Sequence, residues 1–234
     1  MSQPSIDHAL PASLSSQNQL PTAAPQLQLT IASGEQRLHT EQFIAAQFAS
    51  AHQARIHHFM PYLLVLQSEN QQLEAAFGLR PGSETPLFLE QYLEQPIEQL
   101  VAREFKQPVD RFRLVEVGNL AVHHKAFGPS LMAGLATLLY QCQFEWMVFT
   151  ATSQVRRLMM MLGFAPIPLC AADPSKLINN DEDWGNYYHN QPTVMVGSLQ
   201  TAMTVVQQHP RLHRIQQQLQ RHIDIASASI IAQL

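Results

Sequence analysis

Val115-Glu-Val-Gly-Asn-Leu-Ala-Val122, running into His123-His-Lys-Ala-Phe-Gly-Pro-Ser130, decides the fold. The first eight residues are apolar apart from Glu116, Gly118 and Asn119, which reads as the end of a long buried strand from Phe112 to Val122. A Gly-Asn step inside a strand marks a bulge. The loop after it feeds a Leu- and Ala-rich helix from Pro129 to Cys142. A strand that ends in a Gly-containing loop at a helix N-terminus is a general anion site, because unpaired N–H groups and the helix dipole both point at the ligand. Many α/β proteins carry such a turn for structural reasons alone, so the motif by itself leaves both readings open.

Working outward, Trp146 to Thr150 is a short buried strand, and Phe112 to Thr150 should form a right-handed parallel crossover. Ser153 caps a helix that ends at Gly163. Pro166 to Leu169 and Thr193 to Val196 read as further strands, separated by a polar loop over 171–191 that holds Trp184, Tyr187 and Tyr188. Upstream, Leu27, Leu29 and Ile31 alternate as a strand. Thr40 caps a helix reaching His52, with Phe43, Ile44 and Phe48 on its apolar face. Met60 to Leu66 and Gln72 to Leu79 make a hairpin about Ser68-Glu69-Asn70. Pro86 to Tyr92 is a loop or short helix, and Pro at the first turn starts a helix from Pro96 to Phe105. This alternation predicts an α/β fold, a mixed sheet with helices on its faces. Residues 1–25, rich in Ser, Pro and Gln, read as a disordered tail. Residues 26–200 form the domain, and 201–234 a helical extension broken near Pro210.

The 234 residues suffice for one domain with a real core. A net charge of −4, with only 14% charged residues, lacks the clustered Lys and Arg that nucleic acid requires. It also lacks a polybasic stretch suited to anionic lipid. No run approaches the ~20 apolar residues of a transmembrane helix, and Met1 to Leu20 lacks the n- and h-regions of a signal peptide. Two cysteines, Cys142 and Cys170, make no disulfide framework, so reduced thiols and a cytoplasmic location are expected. His57-His58 and His123-His124 point to opposite faces of an extended chain, and no spacing matches zinc; no metal is expected. Ser153 and Cys142 lack a nucleophile motif.

Glu116 lies within an apolar run, where an unpaired carboxylate is costly to bury. It either pairs with a cation such as Arg113 or serves as a base. Asn119 beside the bulge either polarises a bound carbonyl or satisfies the interrupted ladder. Met159, Met160 and Met161 either fill the core or line a channel for a flexible acyl tail.

Leu120-Ala-Val-His123 resembles the end of the fourth strand of GNAT acyltransferases, after which an Arg-Gly-x-Gly-x-Gly/Ala loop holds the pyrophosphate of acyl-CoA. Gly128 falls on the first glycine, Ser130 and Met132 on later small positions, and Phe127 where Arg is usual. Thr152 to Phe164 is similar to the next helix of that fold. Thr152 replaces its opening Asn, and Met159 replaces the Tyr that protonates the leaving thiolate. Phe77-Gly-Leu-Arg80, Pro86-Leu-Phe-Leu-Glu-Gln-Tyr-Leu93, Pro96-Ile-Glu98, Val115 to Ala121, Trp184-Gly and Tyr187-Tyr188 together resemble the thermostable hemolysin family over roughly residues 60–200. That family's relation to GNAT enzymes and autoinducer synthases implies a largely antiparallel sheet and acyl transfer.

The resemblance implies Glu116 and Asn119 as catalytic residues. It places Leu120, Ala121, Val122, Gly128, Ser130, Leu131 and Thr152 at the donor, and Glu90, Gln91 and Tyr92 at the acceptor. The co-substrate is then an acyl-CoA or acyl-carrier-protein thioester, with a patch of Arg103, Lys106, Arg111 and Arg113 as a dock for the carrier. The acceptor is a small amine or hydroxyl compound. A homodimer is compatible with the sequence. The family name offers one rival, a membrane-active protein using Ile223, Ile225, Ile230, Ile231 and Leu234; Met159 and the altered loop offer another, an inactive binding module.

Overall fold

A computed structural model describes residues 27–84, 86–178 and 182–234, so the tail expected over 1–25 lies outside the described residues. Seven strands form one sheet: β1 (Leu27–Ile31), β2 (Tyr62–Ser68), β3 (Leu73–Pro81), β4 (Leu114–Val122), β5 (Trp146–Ala151), β6 (Ile167–Ala171) and β7 (Thr193–Ser198). Their spatial order is β1-β2-β3-β4-β5-β7-β6, and β4–β5 is the only parallel pair among the described strands. Six α-helices flank it: α1 (Gly34–His52), α2 (Ile97–Phe105), α3 (Gly128–Gln141), α4 (Ser153–Met161), α5 (Leu199–Gln208) and α6 (Pro210–Ile231). The expected mixed, largely antiparallel α/β sheet is present.

Strand alternation sorts β4 between two faces. Val115 and Val117 enter a large core with α3, α5 and α6, whereas Leu114 packs with α2 and the 3-10 turn Phe88–Tyr92. A third cluster lies under α1, where Ile44 meets Leu63, Val65, Ala76 and Ala121. The second face is therefore covered in two separate pieces, and Glu116 lies between them.

The starts of α1, α4 and α3 bear on how the sequence reads. α1 begins at Gly34, and Thr40 is a mid-helix residue whose hydroxyl bonds the Gln36 carbonyl at 2.7 Å. Serine and threonine make this i−4 bond as readily as a cap. α4 is capped by the Thr152 hydroxyl, which accepts from Val155 N, and not by Ser153. α3 starts at Gly128, one residue before its proline.

The C-terminal helices bury Leu212, Leu219, Ile223, Ala226 and Ile230 in the main core, against α3 and β1. Ile223 is fully buried, so Ile223→Ala should cost about 2–5 kcal/mol, read as a lowered urea midpoint with unchanged m. An effect below ~0.5 kcal/mol, the scale of surface changes, would show that α6 merely leans on the fold. The proposed lipid-facing row is also split: Ile223 and Ile230 point into the core, while Ile225, Ile231 and Leu234 are exposed.

Candidate functional site

β4 and β5 run in register from Leu114↔Trp146 to Val117↔Phe149, and their pairing ends there. The cause lies in the next residues of β4. Ala76 pairs with Ala121 and Gly78 with Gly118, so Phe77 of β3 faces both Asn119 and Leu120. The extra residue is a bulge, and Asn119 adopts a left-handed φ of 50°, which asparagine tolerates better than most residues. β4 stays with β3 beyond this point while β5 stays with β7. A slot opens between them, beside the bulge that the Gly-Asn step predicted.

Asn119 also ties down the chain that leads into β2, because its Oδ1 accepts the Met60 N–H at 2.8 Å. Gly78 and Gly118 make room for Met60, since a Cβ on either would meet its side chain at 2.5 Å.

The slot holds a cavity of about 170 Å³ that passes through the sheet. On the α3 side its wall is apolar: Met132, Leu135, Met147, Phe149, Val155 and Met159. A second cavity, of about 210 Å³, lies between α3, α5 and β7. Four side chains, Met132, Leu135, Met147 and Met159, line both cavities, so one partition of mostly methionine separates them. Met159 is buried in it, whereas Met160 and Met161 are exposed.

On the other face the wall is aromatic and charged. Phe88, Tyr92, Trp184, Tyr187, Phe48 and His52 surround Glu116, Glu182 and Arg80. Their rings touch in sequence, with centroids 6.0 Å apart for Phe88–Trp184 and 5.4 Å for Trp184–Tyr187. The Tyr92 and Tyr188 hydroxyls share a hydrogen bond of 2.7 Å. Burial first, then Tyr188, hold the Tyr92 hydroxyl far above its usual range, so it stays protonated. Gly185 seats this wall: a Cβ there would lie 2.2 Å from the His52 carbonyl, and its φ of 51° suits glycine.

Glu116 is 2% exposed and does not pair with Arg113. Its oxygens accept the backbone N–H groups of Phe88 at 2.8 Å and Leu89 at 2.9 Å, which anchors the 3-10 turn over the cavity. Burial pushes its carboxyl up to about 7, against the pull of the Leu89 and Phe88 amides and of Arg80. That places a buried carboxylate near neutrality, the range suited to proton transfer. Glu182 lines the same wall. Its Oε1 accepts the His57 and His58 amides at 2.9 and 2.8 Å.

Of the residues anticipated from sequence, Glu116, Asn119, Leu120, Thr152 and Tyr92 line the cavity. Ala121, Leu131 and Ser130 are buried away from it, and Val122 packs against the main core. Gly128 rests on Leu158, with its N–H bonded to the Lys125 carbonyl. Because Pro129 has no N–H and the Leu131 N–H is the first to bond back into α3, only Ser130 of that stretch has an amide to offer a phosphate. Glu90 is tied to Arg111 by contacts of 2.7 Å and to the Leu87 and Ile97 amides, so it holds the turn and does not face the cavity. Gln91 is likewise spent on Phe88 O and Ile178 N. Arg111 also binds Glu98, and Arg113 binds the Gln143 carbonyl, which removes half of the expected basic patch. Arg80, Glu182, Phe48 and His52 were missed, because they reach the cavity from positions too distant in sequence to give a spacing signal. Among the described residues, no three metal-type side chains cluster, and no helix is long and apolar enough to cross a membrane.

A mixed sheet whose parallel pair splays beside a bulge defines a GNAT-like acyltransferase fold. FeeM, an N-acyl amino acid synthase from uncultured soil microbes, superposes with a TM-score of 0.55 at 12% identity, over 77% of this chain and 95% of that one. BjaI, a CoA-dependent acyl-homoserine lactone synthase solved with SAM and isopentyl-CoA, gives 0.51 at 14% identity, over 81% and 90%. No curated protein matches the sequence. The chain belongs to the thermostable hemolysin family, whose profile matches residues 31–203.

Proposed function

We propose that this protein transfers an acyl group from an acyl-CoA or acyl-carrier-protein thioester to a small amine. One observation carries the reading: the parting of β4 and β5 after Val117 joins an apolar chamber on one face to a buried carboxylate on the other. The donor enters along the freed edge of β4 over 118–122, where backbone N–H groups can hold its carbonyl. Its acyl tail lies against Met132, Met147 and Met159. The amine attacks the thioester carbon from the Glu116 side. A C–N bond forms, the C–S bond breaks, and Glu116 takes the amine proton. The thiolate leaves with the electron pair of the C–S bond. With a thiol pKa of ~8.5 it leaves near neutral pH without the acid that Met159 cannot supply.

Likeness of fold to FeeM and BjaI supports the reaction class, since those proteins are named as acyl-transferring synthases. Protein incubated with a panel of acyl thioesters and primary amines should yield an amide, detected by mass spectrometry, with release of free thiol. Dye release from liposomes without any thioester, and no amide from any pair, would favour a membrane-active protein instead.

A further inference from the structure

Arg80 and Glu116 are direct cross-strand partners on β3 and β4, so both side chains rise from the same face of the sheet. Both line the cavity. Glu116 is occupied by the Phe88 and Leu89 amides, whereas no hydrogen bond or ion pair engages the Arg80 guanidinium among the described residues. Its charge is felt by Glu116, but it makes no direct contact with that carboxylate, and its planar fork suits a carboxylate or phosphate. Glu182 is nearly as buried as Glu116; its Oε1 accepts the His57 and His58 amides and lies 3.4 Å from the His58 Nδ1. Among the described residues, the wall thus presents a guanidinium without a hydrogen-bond partner beside two buried carboxylates. Around them stand Phe88, Tyr92, Trp184 and Tyr187, whose ring faces favour a bound ammonium and keep water out.

We propose that the acceptor is a free α-amino acid, its carboxylate held by Arg80 and its amino group placed between Glu116 and the aromatic wall. The two charges of the ligand match the two signs of the site at the spacing that cross-strand neighbours provide. A simple amine leaves Arg80 unsatisfied, and a thioester or phosphate on this face meets two carboxylates. The inference rests on the acyl-transfer reading for its meaning, but binding tests it separately.

The probes are L-leucine, L-phenylalanine and L-lysine, each beside its carboxamide, which keeps the amine and side chain and removes the carboxylate. They are titrated calorimetrically into the full chain without thioester. For at least one pair the acid should bind about tenfold or more tightly than the amide, the scale of a hydrogen-bonded charge. Arg80→Gln should bring that ratio close to one, and Arg80→Lys should restore part of it. The ratio is read within one protein sample, so partial misfolding of a variant lowers both values and leaves it unchanged. Equal binding of acid and amide by the unaltered chain overturns the proposal, as does an acid preference that survives Arg80→Gln, or no binding of any amino acid at millimolar concentration. Acylation of simple amines with no amino acid bound sinks this inference and spares acyl transfer. Arg80-dependent amino acid binding with no acylation of any acceptor does the reverse.

Discussion

Glu116→Gln lowers acyl-transfer turnover by ~10²–10⁴, the range a positioned base contributes. The loss should fall on kcat more than on donor KM, because the proposed donor chamber lies across the sheet from the carboxylate. The substitution has a second effect that the geometry makes explicit. Both Glu116 oxygens accept backbone N–H groups, and glutamine offers only one oxygen. Its amide nitrogen then faces Phe88 N or Leu89 N, donor against donor, at a cost of about 1–3 kcal/mol. Turnover must therefore be compared at a temperature where both proteins are folded, and protease resistance should show the 3-10 turn still seated.

The pH dependence separates a base from an anchor. Burial raises the folded-state pKa of Glu116 to about 7, above its usual 4.5. Arg80 opposes that rise and Glu90 adds to it, while the Tyr92 hydroxyl beside it stays neutral. The working base is the ionised form, so wild-type kcat should climb through about pH 7 and then level, a step absent from the residual rate of Glu116→Gln. Stability runs the other way. A carboxyl with a raised folded pKa contributes fully below 4.5, and that contribution is lost as pH rises to about 7, on the order of 3 kcal/mol. Wild type should thus lose stability relative to Glu116→Gln over that interval. A flat wild-type rate profile, or turnover unchanged by the substitution, makes Glu116 a structural anchor and favours the binding-module reading.

The slot was legible in sequence because its cause is local. Gly118-Asn119 inside an apolar run predicts a bulge, and a bulge predicts where β4 leaves its neighbour. Glu116 was legible for a related reason, since a carboxylate in a buried strand demands an explanation. The aromatic and charged wall opposite was legible only at Tyr92. Glu182 meets His57 and His58 across a sequence separation of about 125, and Arg80 gains meaning only from its register opposite Glu116. Glu90 and Gln91 misled for the opposite reason: adjacent polar residues near a site look like ligands, yet their partners are the turn's own backbone and Arg111. Gly128 matched a family position, but sequence could not show that its N–H is already used by Lys125. Motif spacing reports local backbone shape well. It reports poorly on which polar groups remain uncommitted once the chain has closed on itself.

If the proposed acyl transfer holds, Ala202→Phe should shorten the acyl chain that the protein accepts. The two cavities share Met132, Leu135, Met147 and Met159, and an unbranched thioether chain changes rotamer at little energetic penalty. A tail too long for the first cavity of about 170 Å³ can therefore part the methionines and enter the second, of about 210 Å³. Ala202 lines that second cavity from α5 and is only partly buried, so a larger side chain has room to settle without forcing the main core apart. Each methylene buried there is worth ~0.8 kcal/mol, about fourfold in binding. A ring that excludes five methylenes lowers kcat/KM for a long-chain donor by on the order of 10³, while the shortest donors keep rates within a few-fold. Competition between short and long acyl thioesters in one reaction, with products weighed by mass spectrometry, reads the ratio directly. A parallel fall at every length means the ring disturbed the fold, and an unchanged ratio means that the tail stops at the methionines and the second cavity takes no part.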